Sequence, residues 1–244
     1  MIEIESITKR YSNFTAVNQL SLSVGKGEIF GFLGVNGAGK TTTIKMMVGI
    51  LRPTSGEITI GGHKLSTHSL DAKRITGYIP DRPYIYPKLT GKEFLHFVCD
   101  LYSVPALEAH KRIDQLLEEY ALREWEDELV ESYSHGMKQR LATCAALVHN
   151  PQVLIVDEPM VGLDPHGAKF LKEAFKRYAK QGMSIFLSTH SLNVAEEVAD
   201  RLAIIHRGEL ITIGTLASIR EKTGHLDEGL ENLFLQLTSK YLAQ

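Results

Sequence analysis

Gly34-Val35-Asn36-Gly37-Ala38-Gly39-Lys40-Thr41-Thr42 is the stretch on which the fold turns. The apolar run Ile29-Phe30-Gly31-Phe32-Leu33 precedes it, and Thr43-Ile44-Lys45-Met46-Met47-Val48 follows as an amphipathic helix. Strand, glycine loop and helix, in that order, is the setting that the pattern G-x-x-x-x-G-K-[ST] requires. Glycines let backbone N–H groups turn inward around a phosphate, and the following helix presents its positive N-terminal end to the same group. Gly34, Asn36, Gly37, Ala38, Gly39, Lys40, Thr41 and Thr42 are therefore assigned to a phosphate cradle. Lys40 is expected to reach the β- and γ-phosphates, and Thr41 to offer its hydroxyl to Mg²⁺. The competing reading of these residues is a flexible glycine-rich turn.

On the N-terminal side, residues 2–8 and 17–24 alternate as two strands around a Tyr11-Ser12-Asn13-Phe14 turn. On the other side, the loop's helix is expected to end near Leu51, ahead of Pro53. Residues 54–62 read as turn, short strand and turn, and Ile75-Thr76-Gly77-Tyr78-Ile79 as a strand stopped by Pro80 and Pro83. From residue 88 to 148 the periodicity is helical. Thr90-Gly91-Lys92-Glu93 forms a capping-box pattern ahead of Phe94, Leu95, Val98 and Leu101, and a last helix of this block starts at about Gly136. The α/β rhythm then returns. Val153-Leu154-Ile155-Val156 is a continuous apolar strand, and Asp164-Pro165 supplies an N-cap and a first-turn proline. Ser184-Ile185-Phe186-Leu187 is a further strand, with Ser191 as cap of the next helix, and residues 203–213 form a hairpin.

The predicted architecture is thus an α/β P-loop NTPase core with a mostly parallel sheet, an antiparallel β subdomain and an inserted helical subdomain at about 88–148. It spans 1–237 as a single domain, with an amphipathic helical tail over 223–244. The tail stripe Leu230, Leu233, Phe234, Leu237 and Tyr241 either docks on its own domain or serves a partner.

A chain of 244 residues can bury a full core, and a net charge of −2 supplies no field to recruit nucleic acid or anionic membrane. Cys99 and Cys144 sit in apolar helical patterns as buried small hydrophobes, with no disulfide framework. The alternating, acidic start is unlike a signal peptide, and the uncharged run from Leu141 to Val156 is broken by His149-Asn150-Pro151-Gln152. These features predict a cytoplasmic protein whose contact with a membrane passes through a spanning partner.

Two further positions carry chemistry. Asp157 and Glu158 end the buried strand at 153–156, where a carboxylate is costly unless compensated and where open α/β sheets bind ligands. Asp157 is read as a Mg²⁺ partner and Glu158 as the group that polarises a water aimed at the γ-phosphate, against the alternative of an acidic turn before Pro159. His190 ends the strand Ile185-Phe186-Leu187-Ser188-Thr189; alone it reads as a structural histidine. The other histidines lack metal-ligand spacing.

Taken in order, these motifs resemble the ATPase subunits of ATP-binding cassette (ABC) transporters, from Ile2 to about Leu237. VLIVDEP (Val153 to Pro159) resembles the second nucleotide motif, VGLDP (Val161 to Pro165) the D-loop with Asp164 at its key position, and STH (Ser188 to His190) the switch histidine. Tyr11 resembles the adenine-stacking aromatic, and YSHGMKQR (Tyr133 to Arg140) the signature usually written LSGGQ. The resemblance implies ATP and Mg²⁺ as cofactors, and a homodimer or paired ATPase subunits in which each phosphate loop faces the other subunit's Ser134 and Gly136. It also implies a transmembrane permease partner, no nucleic acid, and a peripheral place at the cytoplasmic face of the cell membrane. Export-type bacterial subunits are the nearest kind. Read physically, Ser134 is a plain N-cap or a hydroxyl that joins free N–H groups in facing an anion.

Three residues depart from the family's pattern. His135 and Met137 replace the first glycine and the glutamine of the signature, and Asp81 stands where the family has glutamine. Asp81 is either a Mg²⁺ ligand and water-orienting group or a turn residue between Pro80 and Pro83. Tyr84-Ile85-Tyr86-Pro87 resembles the permease-docking region, or else packs within the helical insertion. The expected function is ATP hydrolysis that drives transport. Its rivals are a nucleotide-gated dimerising clamp, a soluble mechanical ATPase, and a GTPase, which would need an N-K-x-D motif that does not occur.

Overall fold

The computed structural model describes residues 1–160, 163–223 and 229–242. Strands β1 (Ile2–Tyr11) and β2 (Phe14–Val24) form a hairpin, and β3 (Ile29–Leu33) runs through the glycine loop into α1 (Lys40–Met47). Next come β4 (Ser55–Ile60), β5 (His63–Lys64), α2 (Ser69–Arg74) and β6 (Thr76–Ile79). The helical block is α3 (Gly91–Leu101), α4 (Ala106–Glu119) and α5 (His135–Leu147). Then follow β7 (Val153–Asp157), α6 (Pro165–Lys180), β8 (Ser184–Thr189), α7 (Leu192–Val198), β9 (Arg201–His206), β10 (Glu209–Gly214), α8 (Leu216–Thr223) and α9 (Leu230–Leu242).

The strands sort into an antiparallel sheet of order β2-β1-β4-β5 and a six-stranded sheet of order β10-β9-β3-β8-β7-β6, in which only β10 pairs antiparallel. Every residue of β3, β7 and β8 is buried, which is why these strands read as unbroken apolar runs. Phe30 and Phe32 of β3 pack on Phe186 of β8, with ring centroids 5.7 and 5.2 Å apart. Register then fixes the site. Leu33 lies opposite Thr189 and Asp157 opposite Ser188, so the glycine loop, Asp157-Glu158 and His190 all emerge at one carboxyl edge of the sheet.

The helical block packs its own interior around Leu95, Ile113, Leu117, Tyr120, Leu141 and Cys144. Its entry is the anticipated capping box: the Glu93 N–H donates to Thr90 Oγ1 at 3.1 Å, and the Thr90 N–H to Glu93 Oε2 at 2.8 Å. At its far end β6 meets α5 without a gap, since a Cβ on Gly77 would lie 2.3 Å from the Ala146 carbonyl oxygen. Both cysteines are buried thiols, and burial pushes that of Cys99 up to about 11. In the tail, Leu230, Leu233 and Phe234 are buried, and Leu230 and Phe234 join Leu33, Ala195, Leu202, Ile204 and Ile219 in one cluster, so α9 docks on its own domain. The side chain of Tyr241 and residues 224–228 lie outside the described residues.

Four local expectations are corrected. Helix α1 stops at Met47, not near Leu51: Gly49 takes φ +71°, and the Ile50 and Leu51 N–H groups both turn back to the Lys45 carbonyl. The β1–β2 turn shrinks to Ser12-Asn13, because pairing continues to Tyr11 opposite Phe14. Helix α2 was not anticipated from its six residues. Ser191 does not cap α7 with its hydroxyl; its N–H donates instead to Thr189 Oγ1 at 3.0 Å.

His149, just after α5, stacks on Tyr102 with centroids 3.7 Å apart. Its Nε2 lies 3.2 Å from the Thr76 carbonyl oxygen, an acceptor, so the proton sits on Nε2 and Nδ1 is left bare and without a partner. Burial pulls its pKa down to about 4 from the ordinary 6.5, against the opposing pull of the Thr76 carbonyl. The unfolded chain therefore binds the extra proton first. The contribution is complete above pH 6.5 and is lost as pH falls towards 4. Unfolding free energy is expected to drop by about 3 kcal/mol between pH 7 and pH 4 through this group, and His149→Phe to flatten that slope in urea titrations.

Candidate active site

The glycine loop owes its shape to packing as much as to turn propensity. A Cβ on Gly34 would lie 2.6 Å from the Ile205 carbonyl oxygen, and one on Gly39, at φ +108°, 2.6 Å from that of Ala16. Gly34 and the buried Ala38 therefore brace the loop from behind. Asn36, Gly37, Gly39, Lys40, Thr41 and Thr42 line a cleft of about 370 Å³. Gly39 caps α1 without a side chain, and the helix has no acidic residue in its first turn, so its leading N–H groups face the cleft uncompensated. The Lys40 ammonium is buried, donates to the Gly34 carbonyl at 2.7 Å and lies 3.5 Å from Glu158 Oε1.

Asp157 is 1% exposed, and its Oδ1 has no hydrogen-bond partner. Burial raises its carboxyl above the usual range, while the hydroxyls of Ser188 and Thr41 beside it pull the other way. An orphaned buried carboxylate oxygen next to a threonine hydroxyl is a half-built hard-oxygen site, and these donors fit Mg²⁺. Asp81 is exposed on the rim of the same cleft, close enough for its charge to act on both Asp157 and Tyr78.

Glu158 takes a left-handed backbone, φ +50°, rare for a residue with a Cβ, while its N–H donates to the Ser188 carbonyl at 3.0 Å. That twist turns its carboxylate back over the sheet edge. Oε2 accepts from the His190 N–H at 3.2 Å and sits 2.9 Å from His190 Nδ1. Lys40, Glu158 and His190 thus form one continuous polar chain.

Ser134, Gly136 and Asp164 are placed elsewhere. They line a separate cleft of about 540 Å³ between α5 and α6 and do not border the loop cleft of the same chain. Ser134 caps α5, accepting from the Met137 N–H at 3.2 Å; Asp164 caps α6, accepting from the Gly167 N–H at 2.7 Å. A Cβ on Gly136 would meet nothing within 4 Å. Val161 and Gly162, the first residues of the expected D-loop, lie outside the described residues.

Tyr11 lies at the β1–β2 hairpin tip, opposite Phe14. The cleft is lined by Phe14 and Ala16, whereas Tyr11 lies outside the lining, with the Lys9 ammonium 5.4 Å from its ring centroid. Phe14, read from the sequence as part of the turn, opens β2 at the wall of the cleft. Tyr84 is 89% exposed, outside the helical interior, and Tyr86 stands edge-on to Phe97 at 5.4 Å.

The family model described as ABC transporter matches residues 17–161. The linearmycin resistance ATP-binding protein LnrL of Bacillus subtilis (strain 168) is 40% identical over 224 residues, covering 92% of this chain and 72% of the relative. The bacitracin transport ATP-binding protein BcrA of Bacillus licheniformis is 40% identical over 214 residues, covering 86% and 68%. Among solved structures, an ATP-binding subunit of an ABC transporter superposes with a TM-score of 0.93 at 33% identity, over 98% of this chain and 99% of that one.

Proposed function

This chain belongs to the ABC transporter family as an ATP-binding subunit, and from that premise we propose that it hydrolyses ATP to drive export through a separate transmembrane permease. The observation that carries the reading is the shared carboxyl edge: Lys40, Glu158 and His190 follow one another in ionic and polar contact beside the orphaned carboxylate oxygen of Asp157.

Lys40 and the loop N–H groups hold the β- and γ-phosphates. Thr41, Asp157 and Asp81 would hold Mg²⁺, which would offset phosphate charge when bound. Glu158 accepts a proton from water as the water oxygen bonds to the γ-phosphorus, and the bond to the bridging oxygen breaks, leaving its electron pair on ADP. His190 steadies Glu158 and contacts the γ-phosphate. Ser134 and Gly136, remote from their own chain's loop cleft, complete the site of a second ATPase subunit, and Asp164 lies at the same interface.

Among the described residues no helix is long and apolar enough to cross a membrane. Tyr84, Tyr86, Phe97 and Leu101, all exposed, offer the surface on which the permease docks. Export follows the relatives named for linearmycin resistance and bacitracin transport. Affinity purification from native membranes is expected to recover an integral membrane protein with this chain, and Tyr84→Asp with Phe97→Asp to release it. Recovery without any membrane protein, or undiminished recovery by the double variant, sinks the docking assignment.

A further inference from the structure

We infer that Asp81 is a specificity residue of the loop cleft, whose charge rejects nucleotide that arrives without a divalent cation and admits the metal-bound form. The inference rests on the nucleotide-binding reading of the loop. It starts from the charges that this chain places around that loop. Among the described residues that line the cleft, Lys40 is the one cation, and Glu158 Oε1 already lies 3.5 Å from its ammonium. Asp81 and Glu158 are the lining carboxylates, and Asp157, with its orphaned Oδ1, adjoins Thr41. Once Lys40 and Glu158 offset each other, Asp81 and Asp157 are left uncompensated.

Strand register puts Asp81 there. β6 runs parallel to β7 with Ile79 opposite Val156, so two residues further on Asp81 comes level with Glu158. Pro80, with its fixed φ, stiffens the step between strand and aspartate. The charge of Asp81 already reaches across the site. Burial, then the charges of Glu158 and Asp81, raise the Asp157 carboxyl above its usual range. Burial, then the charges of Asp157 and Asp81, push the Tyr78 hydroxyl up to about 12. An exposed carboxylate that acts on buried groups in this way also acts on a polyanion in the same cleft. A bare triphosphate in the cradle meets two like charges, and a like charge at this range costs about one to two decades in affinity. A triphosphate that brings a divalent cation meets the same two carboxylates as oxygen ligands and counter-charges. Asp81 therefore sorts two forms of one nucleotide by a change of sign.

The test is calorimetric titration of the full chain with the non-hydrolysable β,γ-imido analogue of ATP, once with excess Mg²⁺ and once with EDTA. The ratio of the two dissociation constants reads the sorting without any turnover. Asp81→Asn keeps the shape and removes the charge. It is expected to shrink the ratio by at least ~10-fold, chiefly by tightening binding in EDTA. Asp81→Glu, which keeps the charge, should keep a ratio close to wild type. An Asp81→Asn ratio equal to that of wild type overturns the inference. So does a ratio that falls only because binding with Mg²⁺ weakens, which would leave Asp81 a plain metal ligand. Wild type that binds the analogue under neither condition refutes the cradle itself, a failure seen in wild type before any variant is compared.

Discussion

Glu158→Gln is expected to cut phosphate release at saturating Mg-ATP by roughly 10²- to 10⁴-fold, the span that a positioned general base supplies. The substitution preserves shape and leaves the φ +50° backbone untouched, so the loop, Lys40 and His190 stay in place. It removes the charge 3.5 Å from the Lys40 ammonium. ATP binding should therefore be at least as tight as in wild type while turnover collapses. Single-turnover hydrolysis with equilibrium ATP titration separates the two effects. If wild type turns over no faster than the variant, the chain is the nucleotide-gated clamp that His135, Met137 and Asp81 raise as a rival.

Gly136→Asp should separate folding from function in the opposite direction. Gly136 lies in the first turn of α5, nothing within 4 Å would meet its Cβ, and no acidic residue already occupies that turn. Replacing glycine within a helix and placing a carboxylate at its N-terminus together stabilise by about 1 kcal/mol, so the melting temperature should hold or rise by a few degrees. Turnover should nevertheless fall by at least ~100-fold, because the new charge would face the partner's γ-phosphate where an oriented N–H group is needed. Full activity with unchanged stability would show that the open space around Gly136 is plain solvent.

Those two residues also show what could be read in advance. Asp157 and Glu158 were legible because an apolar strand ending in two acids demands compensation. The capping box at Thr90 and the Asp164-Pro165 start were legible because each cap is a local interaction within a few residues. The Ser191 N–H bond was not, since it depends on where a strand end meets another element. The end of α1 was misplaced because Gly49 was weighed less than Pro53, although a glycine free to take positive φ terminates a helix as firmly as a proline that cannot continue one. The separation of Ser134 from its own loop cleft came only with the resemblance, because no local pattern encodes which cleft a helix start will face.

The tight seat of Gly77 under Ala146 has a mechanical consequence. Helix α5 rests on β6 near its last turn and carries Ser134 at its other end, about 18 Å away at 1.5 Å per residue. A tilt of the helix of roughly 10° about that point displaces Ser134 by about 3 Å, the length of a hydrogen bond. The strand under that seat runs on to Asp81, two residues past its end. One close seat of backbone on backbone therefore joins the strand that leads to Asp81 with the helix that Ser134 caps.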